Sequence, residues 1–469
     1  MSRQQDLAKN TVILTFGKIC TQFISFMLLP LYTALLQPEE FGTADLIASY
    51  VSLLVPLINW QIENGLFRYM IDCRNQYEKQ KQLFTTVIVA NVLQSVIFVA
   101  LYLIVSDMIT LAYKEFLVAD VVLNIFLGTM LQLPRGLGDN KKYAIASLIS
   151  SSTTVIFNVI FIAVLNMGVL GLFWATVVGK VITLAYLTGT LKAWRYVSVK
   201  TVNKGMFKEL FRYSVPLVPN QLSWWAVTVS DRLVISHFLG VIANGIYTVA
   251  YKFPTMVTTF YNFFNMSWTE SVSVHFHDED RDEYIRNTIR SMFRLFSAIC
   301  IGIIACIPFV FPILVNSQYA SAYEHIPLLL LAMLFQVVTG LYSAIYVALK
   351  KSEELAKTSV YAAVINIVVN LALVKVIGLY AASVSTMVAY GVMALFRYFD
   401  IKKHINIALE RNILIGTLVF VATTLVTYYQ PNLWISAVNL LLVAIYAVCI
   451  NKEILGTFVQ MVISKLKKK

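Results

Sequence analysis

The sequence predicts an all-α polytopic membrane protein with 14 transmembrane helices, arranged as two pseudo-symmetric six-helix lobes followed by two C-terminal helices. Three observations predict this fold class. Of the 469 residues 58% are hydrophobic and only 13% are charged, apolar runs of transmembrane length recur along the whole chain, and two segments about 203 residues apart resemble each other. A soluble globular protein usually carries about 25% charged residues, so the composition excludes that class.

The apolar runs are each about 20 residues long, which at about 1.5 Å per helical residue spans a hydrocarbon core of about 30 Å. The first run has full transmembrane length and no small-residue cleavage site, so we expect it to be retained rather than removed as a signal peptide. The predicted spans are residues 11–35, 43–66, 83–105, 116–134, 143–167, 169–191, 214–239, 244–268, 290–315, 326–349, 356–376, 378–397, 412–429 and 433–450.

The net charge of +12 is distributed in a way that indicates a membrane, and not nucleic acid, as the partner. With the N-terminus in the cytoplasm, alternate loops and the two chain ends hold 31 of the 37 Lys and Arg residues, whereas the opposite loops hold only Lys114. Arg397, at the end of a predicted span, is counted with the cytoplasmic loop that follows it. This asymmetry follows the positive-inside rule and places both termini in the cytoplasm. We expect the basic tail, ISKLKKK, to contact anionic lipid headgroups.

An internal repeat predicts the lobes. LLQPEEFGTADLIASY and FLGVIANGIYTVAYKF each join two spans by a short external turn, and Gly42 and Gly245 coincide at an offset of 203. GLFWATVVG at Gly171 resembles GLYAASVST at Gly378 at an offset of 207. We therefore expect an N-terminal six-helix lobe at 1–200, a C-terminal six-helix lobe at 201–405, and two additional helices with the basic tail at 406–469.

One face of the second predicted helix is polar. Six residues, all polar except Pro56, recur at alternating steps of four and three, which places on a single helical face Asp45, Ser49, Ser52, Pro56, Asn59 and Glu63. The offset of 203 carries this face onto a second set, of which five of six are polar: Thr248, Lys252, Thr255, Thr259, Asn262 and Met266. The first helix has its own polar face, and the same offset carries Lys18 and Gln22 onto Gln221 and Trp225. In lipid such faces are costly unless they line a wet cavity or contact another helix.

Cations within the spans favour a cavity. A cation near the bilayer centre costs at least about 2.5 to 3.5 kcal/mol on insertion scales, which helix packing does not justify. The cations that point to a cavity are Lys18, Lys180, Arg232 and Lys252. A fifth, Lys375, lies at the external end of its span, where its side chain can reach the interface.

Three carboxylates are candidates for coupling or orienting roles. Asp45 and Glu63 are candidates for proton or sodium coupling, because an intramembrane carboxylate can change its charge during a transport cycle. Each also lies near a helix end, where solvation alone accounts for a carboxylate. Asp231 lies beside the polar face that contains Arg232 and at a depth similar to that of Lys252, so we expect Asp231 to pair with Lys252. The five cysteines and five histidines have no metal-ligand spacing, and we predict no metal site and no catalytic constellation.

The segment YSVPLVPNQLSWWAVTVSDRLVISHFLGVIANGIYTVAYKFP resembles the middle of bacterial polysaccharide repeat-unit flippases, and NTVILTFGKICTQFISFMLLPLYTALLQPEEFG resembles their opening helix and turn. This family belongs to the multidrug, oligosaccharidyl-lipid and polysaccharide exporter superfamily. The resemblance implies a MATE-like fold with two lobes around a cavity that opens alternately to each side. It also implies translocation of undecaprenyl-pyrophosphate-linked oligosaccharides from the cytoplasmic to the external leaflet. The segment GKICTQFISF is most similar to the members from capsule or exopolysaccharide gene clusters.

The resemblance assigns roles to the intramembrane polar residues. The cations Lys18, Lys180, Arg232 and Lys252 are expected to bind the pyrophosphate, since Arg can grip phosphate bidentately and Lys acts as a point charge. The residues expected to contact the sugars are Gln22, Asn59, Gln221, Trp225 and Asn262. The expected partners are the lipid-linked glycan, membrane lipids, a polymerase and other polysaccharide assembly proteins. No cofactor is expected beyond a coupling proton or sodium ion.

Three other functions remain open. A cation-coupled multidrug exporter of the same superfamily would share the helix count, although intramembrane cations would repel its cationic substrates. A membrane polysaccharide polymerase or ligase would be expected to carry a long external catalytic loop, and the predicted external loops are short. A non-transporting scaffold would not need matched polar faces. The sequence therefore favours a flippase in the bacterial cytoplasmic membrane.

Overall fold

The computed structural model describes residues 26–405, 407, 411–453 and 456. Within that part of the chain all regular structure is helical. The α-helices are α1 (Leu29–Leu35), α2 (Pro38–Asn59), α3 (Ile62–Asp72), α4 (Tyr77–Val105), α5 (Lys114–Leu137), α6 (Asn140–Asn158), α7 (Val169–Leu191), α8 (Lys204–Ser214), α9 (Leu217–Thr228), α10 (Ser230–Leu239), α11 (Val241–Val274), α12 (Arg281–Leu314), α13 (Ala322–Ala348), α14 (Ser352–Ile377), α15 (Tyr380–Ile401), α16 (Arg411–Tyr428) and α17 (Leu433–Ile450).

Ten helices among the described residues are long and apolar enough to cross a membrane. They are α2, α4, α5, α6, α7, α12, α13, α14, α16 and α17, and each overlaps one predicted span. Two further predicted spans correspond to α11 and α15, single helices of 34 and 22 residues that are long enough to cross but more polar. The predicted all-α membrane fold is confirmed.

The remaining predicted spans differ from single helices. Most of the first span lies outside the described residues, and α1 is its end. The seventh span is two helices, because Val229 leaves helical geometry between α9 and α10. The second span is also interrupted, since Trp60 and Gln61 adopt left-handed φ values of 54° and 57° between α2 and α3. Hydropathy reports only how apolar a segment is, and therefore missed both breaks.

The chain divides into two compact units, Met1–Gly245 and Ile246–Lys469. In the first unit α6 packs along α7, α5 packs against α3 and α7, and α2 is covered by α9 and α10. Its buried core includes Leu66, Phe84 and Leu133. The predicted boundaries of the lobes, at residues 200 and 405, stay predictions.

The second unit is built around α15, which packs against α13 and α14, and around α12, which packs against α13, α16 and α17. Ile301, Ala305 and Val443 form a buried cluster where α12 meets α17. The two C-terminal helices therefore pack on the same helix, α12.

Arg397 is fully buried in the second unit. Its place at the end of a predicted span indicates a cytoplasmic loop cation, but it lies on α15 and donates hydrogen bonds to neighbours on α13 and α14. The acceptors include the hydroxyls of Ser343, Thr358 and Ser359 and the carbonyl oxygen of Thr339. Its guanidinium therefore joins three helices through neutral acceptors, which satisfies the donors that burial removes from water.

The starts of α2 and α11, Pro38 and Val241, are 203 residues apart, as the repeat predicts. At these starts Gly42 and Gly245 are in close contact, and the backbone nitrogen of Gly245 lies 2.7 Å from where a Cβ on Gly42 would be. A second glycine pair, Gly168 and Gly378, shares one left-handed conformation, with φ values of 56° and 58° and ψ values of −138° and −133°. The conformational equivalent of Gly378 is thus Gly168, three residues before the Gly171 that sequence similarity suggested.

Candidate functional site

The polar face of α2 is the face that α9 and α10 cover. Asp45, Ser49 and Ser52 lie on this face, as their spacing predicts, and each contacts a side chain of α9 or α10. A polar face inside a membrane protein is stable when its groups are hydrogen-bonded to another helix. This part of the face is therefore a helix contact in the structure.

Arg232 forms an ion pair with Asp45 across this contact. Its Nε donates to Asp45 Oδ2 at 3.0 Å, and the two side chains are 10% and 20% exposed. Asn244 donates through Nδ2 to the carbonyl oxygen of Gly42 at 2.9 Å, and the same Nδ2 lies 3.5 Å from Asp45 Oδ2. The ion pair between Arg232 and Asp45 joins positions that are 187 residues apart in the sequence.

The break between α9 and α10 creates one of the acceptors that holds Arg232. In a continuous helix the backbone N–H of Arg232 would donate to the carbonyl oxygen of Thr228. Here it donates to the carbonyl of Val229 instead, at 3.1 Å. The freed Thr228 oxygen accepts from Arg232 Nη1 at 2.9 Å. The helix break therefore supplies the carbonyl oxygen that helps to orient the guanidinium.

Trp225 is anchored on α2. Its Nε1 donates to the Ser52 hydroxyl at 3.0 Å and lies 3.3 Å from the Ser49 carbonyl oxygen. The indole is half-buried. A buried indole N–H usually finds an acceptor, and Trp225 finds it on the helix that carries Asp45.

A second intramembrane ion pair joins Lys180 on α7 to Asp120 on α5. The side chains of Lys180 and Asp120 are 15% and 17% exposed. Lys180 is predicted from the sequence to be a cation in a cavity, whereas Asp120 is not among the predicted site residues. The signal was available, since Asp120 is a carboxylate within the predicted span 116–134.

A third polar contact lies where α2 ends. Asn59 is buried, and its Nδ2 donates to Glu63 Oε2 at 2.6 Å across the Trp60 and Gln61 break. Asn59 Oδ1 is a buried acceptor that lacks a partner among the described residues. Glu63 is partly buried and belongs to α3, so the polar face predicted from Asp45 to Glu63 is divided between two helices.

The remaining predicted site residues include four that belong to the described part of the chain. Lys18 and Gln22 lie outside the described residues. Gln221 on α9 and Asn262 on α11 are exposed, and Lys252 on α11 is half-buried. Asp231 is buried on α10, and its pairing with Lys252 stays a hypothesis.

Within the first unit the two described intramembrane cations thus face carboxylates, Arg232 at Asp45 and Lys180 at Asp120. Each pair is close to neutral at rest, which removes much of the cost of holding a charge in the bilayer. An anion that reached either cation would compete with the carboxylate for the same donors. The arrangement can therefore exchange one anionic partner for another.

The sequence matches the family of polysaccharide biosynthesis proteins over residues 7–273. No curated protein matches the sequence. Among solved structures, the lipid II flippase MurJ in an inward closed conformation has a TM-score of 0.71 and 14% identity, over 96% of this chain and 100% of that chain. A multidrug resistance MATE family transporter of the MOP superfamily, in an inward-facing conformation, has a TM-score of 0.69 and 15% identity, over 83% of this chain and 98% of that one. At these identities the two likenesses show a shared fold.

Proposed function

Because the chain belongs to the polysaccharide biosynthesis protein family, we propose that it is a flippase for lipid-linked oligosaccharides. Its substrate is an undecaprenyl-pyrophosphate-linked oligosaccharide repeat unit of a capsule, O-antigen or exopolysaccharide. The protein carries it from the cytoplasmic to the external leaflet of the bacterial cytoplasmic membrane by alternating access. Both termini are cytoplasmic, and the product passes to a polymerase and other assembly proteins. The likeness in fold to a lipid II flippase supports this proposal.

The observation that carries the proposal is the ion pair between Arg232 and Asp45. A substrate of this class has a pyrophosphate and many hydroxyls, which are costly to move through hydrocarbon without a polar path. A guanidinium matches phosphate geometry and remains charged at any physiological pH. Arg232 is held in place by Asp45 and by the Thr228 carbonyl, and it is therefore preorganised for an anion.

In the proposed cycle the pyrophosphate displaces the Asp45 carboxylate from Arg232. The displaced carboxylate then binds a proton or a sodium ion, which couples translocation to an ion gradient, and the ion pair re-forms when the substrate leaves. Glu63, beside Asn59, is a second coupling candidate. Asp231 orients the neighbouring cations. The other proposed substrate contacts are Lys18, Lys180 and Lys252 for the pyrophosphate, and Gln22, Asn59, Gln221, Trp225 and Asn262 for the sugars.

A leaflet-resolved transport assay tests the proposal. Vesicles with and without the purified protein would be loaded on one leaflet with the host's own lipid-linked glycan, and its arrival on the opposite leaflet would be measured with a membrane-impermeant glycosidase. We expect fast translocation only with the protein, and we expect Arg232→Ala and Lys18→Ala to abolish it while the protein still inserts. Equal rates in vesicles without the protein would refute the flippase function.

The second candidate function is a cation-coupled multidrug exporter. One observation weakens the argument that intramembrane cations would repel its cationic substrates. Arg232 and Lys180 are paired with Asp45 and Asp120, and such ion pairs would repel a cationic drug less than unpaired cations would. The same vesicles, tested with a fluorescent lipophilic cation, distinguish the two. A flippase should leave the gradient of the fluorescent cation unchanged. An exporter should build up or collapse that gradient in a manner that depends on protons or sodium.

A further inference from the structure

A cleft of about 430 Å³ lies in the second unit, where the end of α12, the start of α13 and the turn between α16 and α17 come together. It is lined chiefly by prolines and aromatic rings, including Pro308, Pro312, Tyr323, Tyr428, Tyr429 and Pro431. Its polar lining includes Glu324, Gln430 and Ser436. The positive-inside rule places all three segments at the external surface. The volume falls within the range of small-molecule binding pockets, about 300 to 1,000 Å³.

The cleft is held in shape by hydrogen bonds from tyrosine hydroxyls to backbone carbonyls. Tyr323 and Tyr428 stack at 4.2 Å between ring centroids, and each hydroxyl donates to the carbonyl oxygen of the other residue, at 3.0 and 2.6 Å. The Tyr429 hydroxyl donates to the carbonyl oxygen of Glu324 at 2.9 Å. These bonds tie the α16–α17 turn to the start of α13. The walls of the cleft are therefore preformed, which lowers the entropic cost of binding.

These aromatics differ from an interfacial belt. Belt tyrosines and tryptophans direct their polar ends toward lipid headgroups and water. Here Tyr428 is almost completely buried, and the three hydroxyls are used inside the protein. Tyr429 keeps about half of its surface exposed, although its hydroxyl is bonded. An exposed ring whose hydroxyl is already engaged offers a flat apolar face to a ligand.

The polar groups select the chemical class of that ligand. Glu324 is exposed and accepts from the Tyr380 hydroxyl at 3.2 Å, and a carboxylate can accept about four hydrogen bonds. Gln430 adds an exposed amide that can both donate and accept. The described lining contains a carboxylate and no basic side chain, so it disfavours phosphate and uronic acids. An aromatic face beside hydrogen-bonding groups suits a neutral sugar, which has apolar C–H faces and a rim of hydroxyls.

We propose that this external cleft binds neutral sugar residues of the translocated glycan, with a pyranose ring on Tyr429 and its hydroxyls on Glu324 and Gln430. The inference rests on the proposed flippase function, because that function supplies a glycan at the external surface. The site is distinct from the contacts of Arg232, which are proposed for the pyrophosphate. Holding the sugars outside would disfavour the return of the glycan to the cytoplasmic leaflet.

Titration calorimetry on the full-length protein in nanodiscs tests the inference. The probe is the water-soluble oligosaccharide released by mild acid from the host's lipid-linked glycan. We expect Tyr429→Ala to raise the Kd at least tenfold and Glu324→Gln to raise it several-fold. Tyr429→Phe, which keeps the ring, should bind within about threefold of the wild type. Tyr361→Ala, an exposed tyrosine on α14 away from the cleft, is the matched control and should bind as the wild type does.

Arg232→Ala separates the two sites, and we expect it to leave the oligosaccharide Kd unchanged while it abolishes translocation. An unchanged Kd for Tyr429→Ala, or no binding by the wild type, would overturn the proposal that the cleft binds sugars. So would a loss of oligosaccharide binding in Arg232→Ala, because the sugars would then bind elsewhere. Each variant is also measured in the translocation assay. Translocation by the wild type without cleft binding refutes only the cleft, whereas absence of translocation refutes the flippase function whatever the Kd.

Discussion

Gly42 and Gly245 contact each other reciprocally at the starts of α2 and α11. A Cβ on Gly42 would overlap the carbonyl oxygen of Val241, and a Cβ on Gly245 would overlap the carbonyl oxygen of Pro38. Pro38 and Val241 are themselves 203 residues apart, so the offset that relates the glycines also relates the atoms that they touch. This is the pattern of an isologous contact, in which each side presents the same patch to the other.

Alanine at either glycine should destabilise the first unit. The overlap is with rigid backbone, so the helices must separate, and overpacking of this kind costs about 1 to 3 kcal/mol. We expect Gly42→Ala and Gly245→Ala each to lower the melting temperature in a thermal-shift assay on purified protein. Gly302→Ala is the control, because a Cβ at that helical position has no neighbour within 4 Å among the described residues. Melting temperatures equal to that of Gly302→Ala would contradict the contact.

The ion pair between Arg232 and Asp45 should show strong coupling in a double-mutant cycle. Removing one partner leaves a mostly buried charge, which costs about 3 to 5 kcal/mol in fully buried pairs. We expect Asp45→Ala to destabilise more than the double variant Asp45→Ala/Arg232→Met, measured by SDS-induced unfolding. Arg68 and Asp72 form an exposed pair that serves as the control, and its coupling should not exceed about 1 kcal/mol. Additive effects at Asp45 and Arg232 would show that the pair does not stabilise the fold.

Replacing both members of the Lys180 and Asp120 pair should separate stability from transport. Asp120→Ala alone leaves Lys180 without its carboxylate and is expected to lower the yield of folded protein. The double variant Lys180→Met/Asp120→Leu removes both charges and should fold. It should translocate the lipid-linked glycan at least about tenfold more slowly if Lys180 binds pyrophosphate, since a hydrogen bond to a charged group contributes about 1.5 to 3 kcal/mol and about 1.4 kcal/mol corresponds to tenfold. Translocation at the wild-type rate would assign Lys180 a role in folding alone.

Arg397 is expected to be essential for folding of the second unit. Arg397→Met removes the hydrogen bonds to Ser343, Thr358 and the Thr339 carbonyl, and a hydrogen bond from a charged group contributes about 1.5 to 3 kcal/mol. Arg397→Lys should also be destabilising, because a point-like ammonium cannot span acceptors on two neighbouring helices. The measurement is the yield of monodisperse protein by size-exclusion chromatography. Lys403→Met, at an exposed cation near the end of α15, is the control, and an equal yield from Arg397→Met would contradict the proposed network.

Much of the fold could be predicted from the sequence because insertion of a helix into a bilayer depends on local composition. Each segment of about 20 apolar residues must satisfy its backbone internally, so the helices at α4, α5 and α7 follow from hydropathy alone. The breaks at Trp60 and Val229 could not be predicted in this way, since a few residues of irregular geometry do not change the mean hydropathy of a span. They depend on neighbours such as Arg232, which bonds the carbonyl that one break releases.

The helix face on which the candidate site lies could be predicted in part. The helical period correctly grouped Asp45, Ser49 and Ser52 on one face, because residues three and four apart lie on the same side of a helix. It did not identify what covers that face, and it left Asp120 out. The burial of Arg397 was likewise missed, because a cation near the end of a span is read as a loop residue when only its position along the chain is known.

The sequence by itself determined that this chain is a helical membrane protein, where most helices lie, and that two segments repeat at an offset of 203. These are properties of local composition and of similarity along the chain. Only the tertiary structure decided which charges meet, Arg232 with Asp45 and Lys180 with Asp120, and that Tyr323 and Tyr428 stack in the cleft beside the α16–α17 turn. Those partners lie 187, 60 and 105 residues apart, and their choice depends on helix packing.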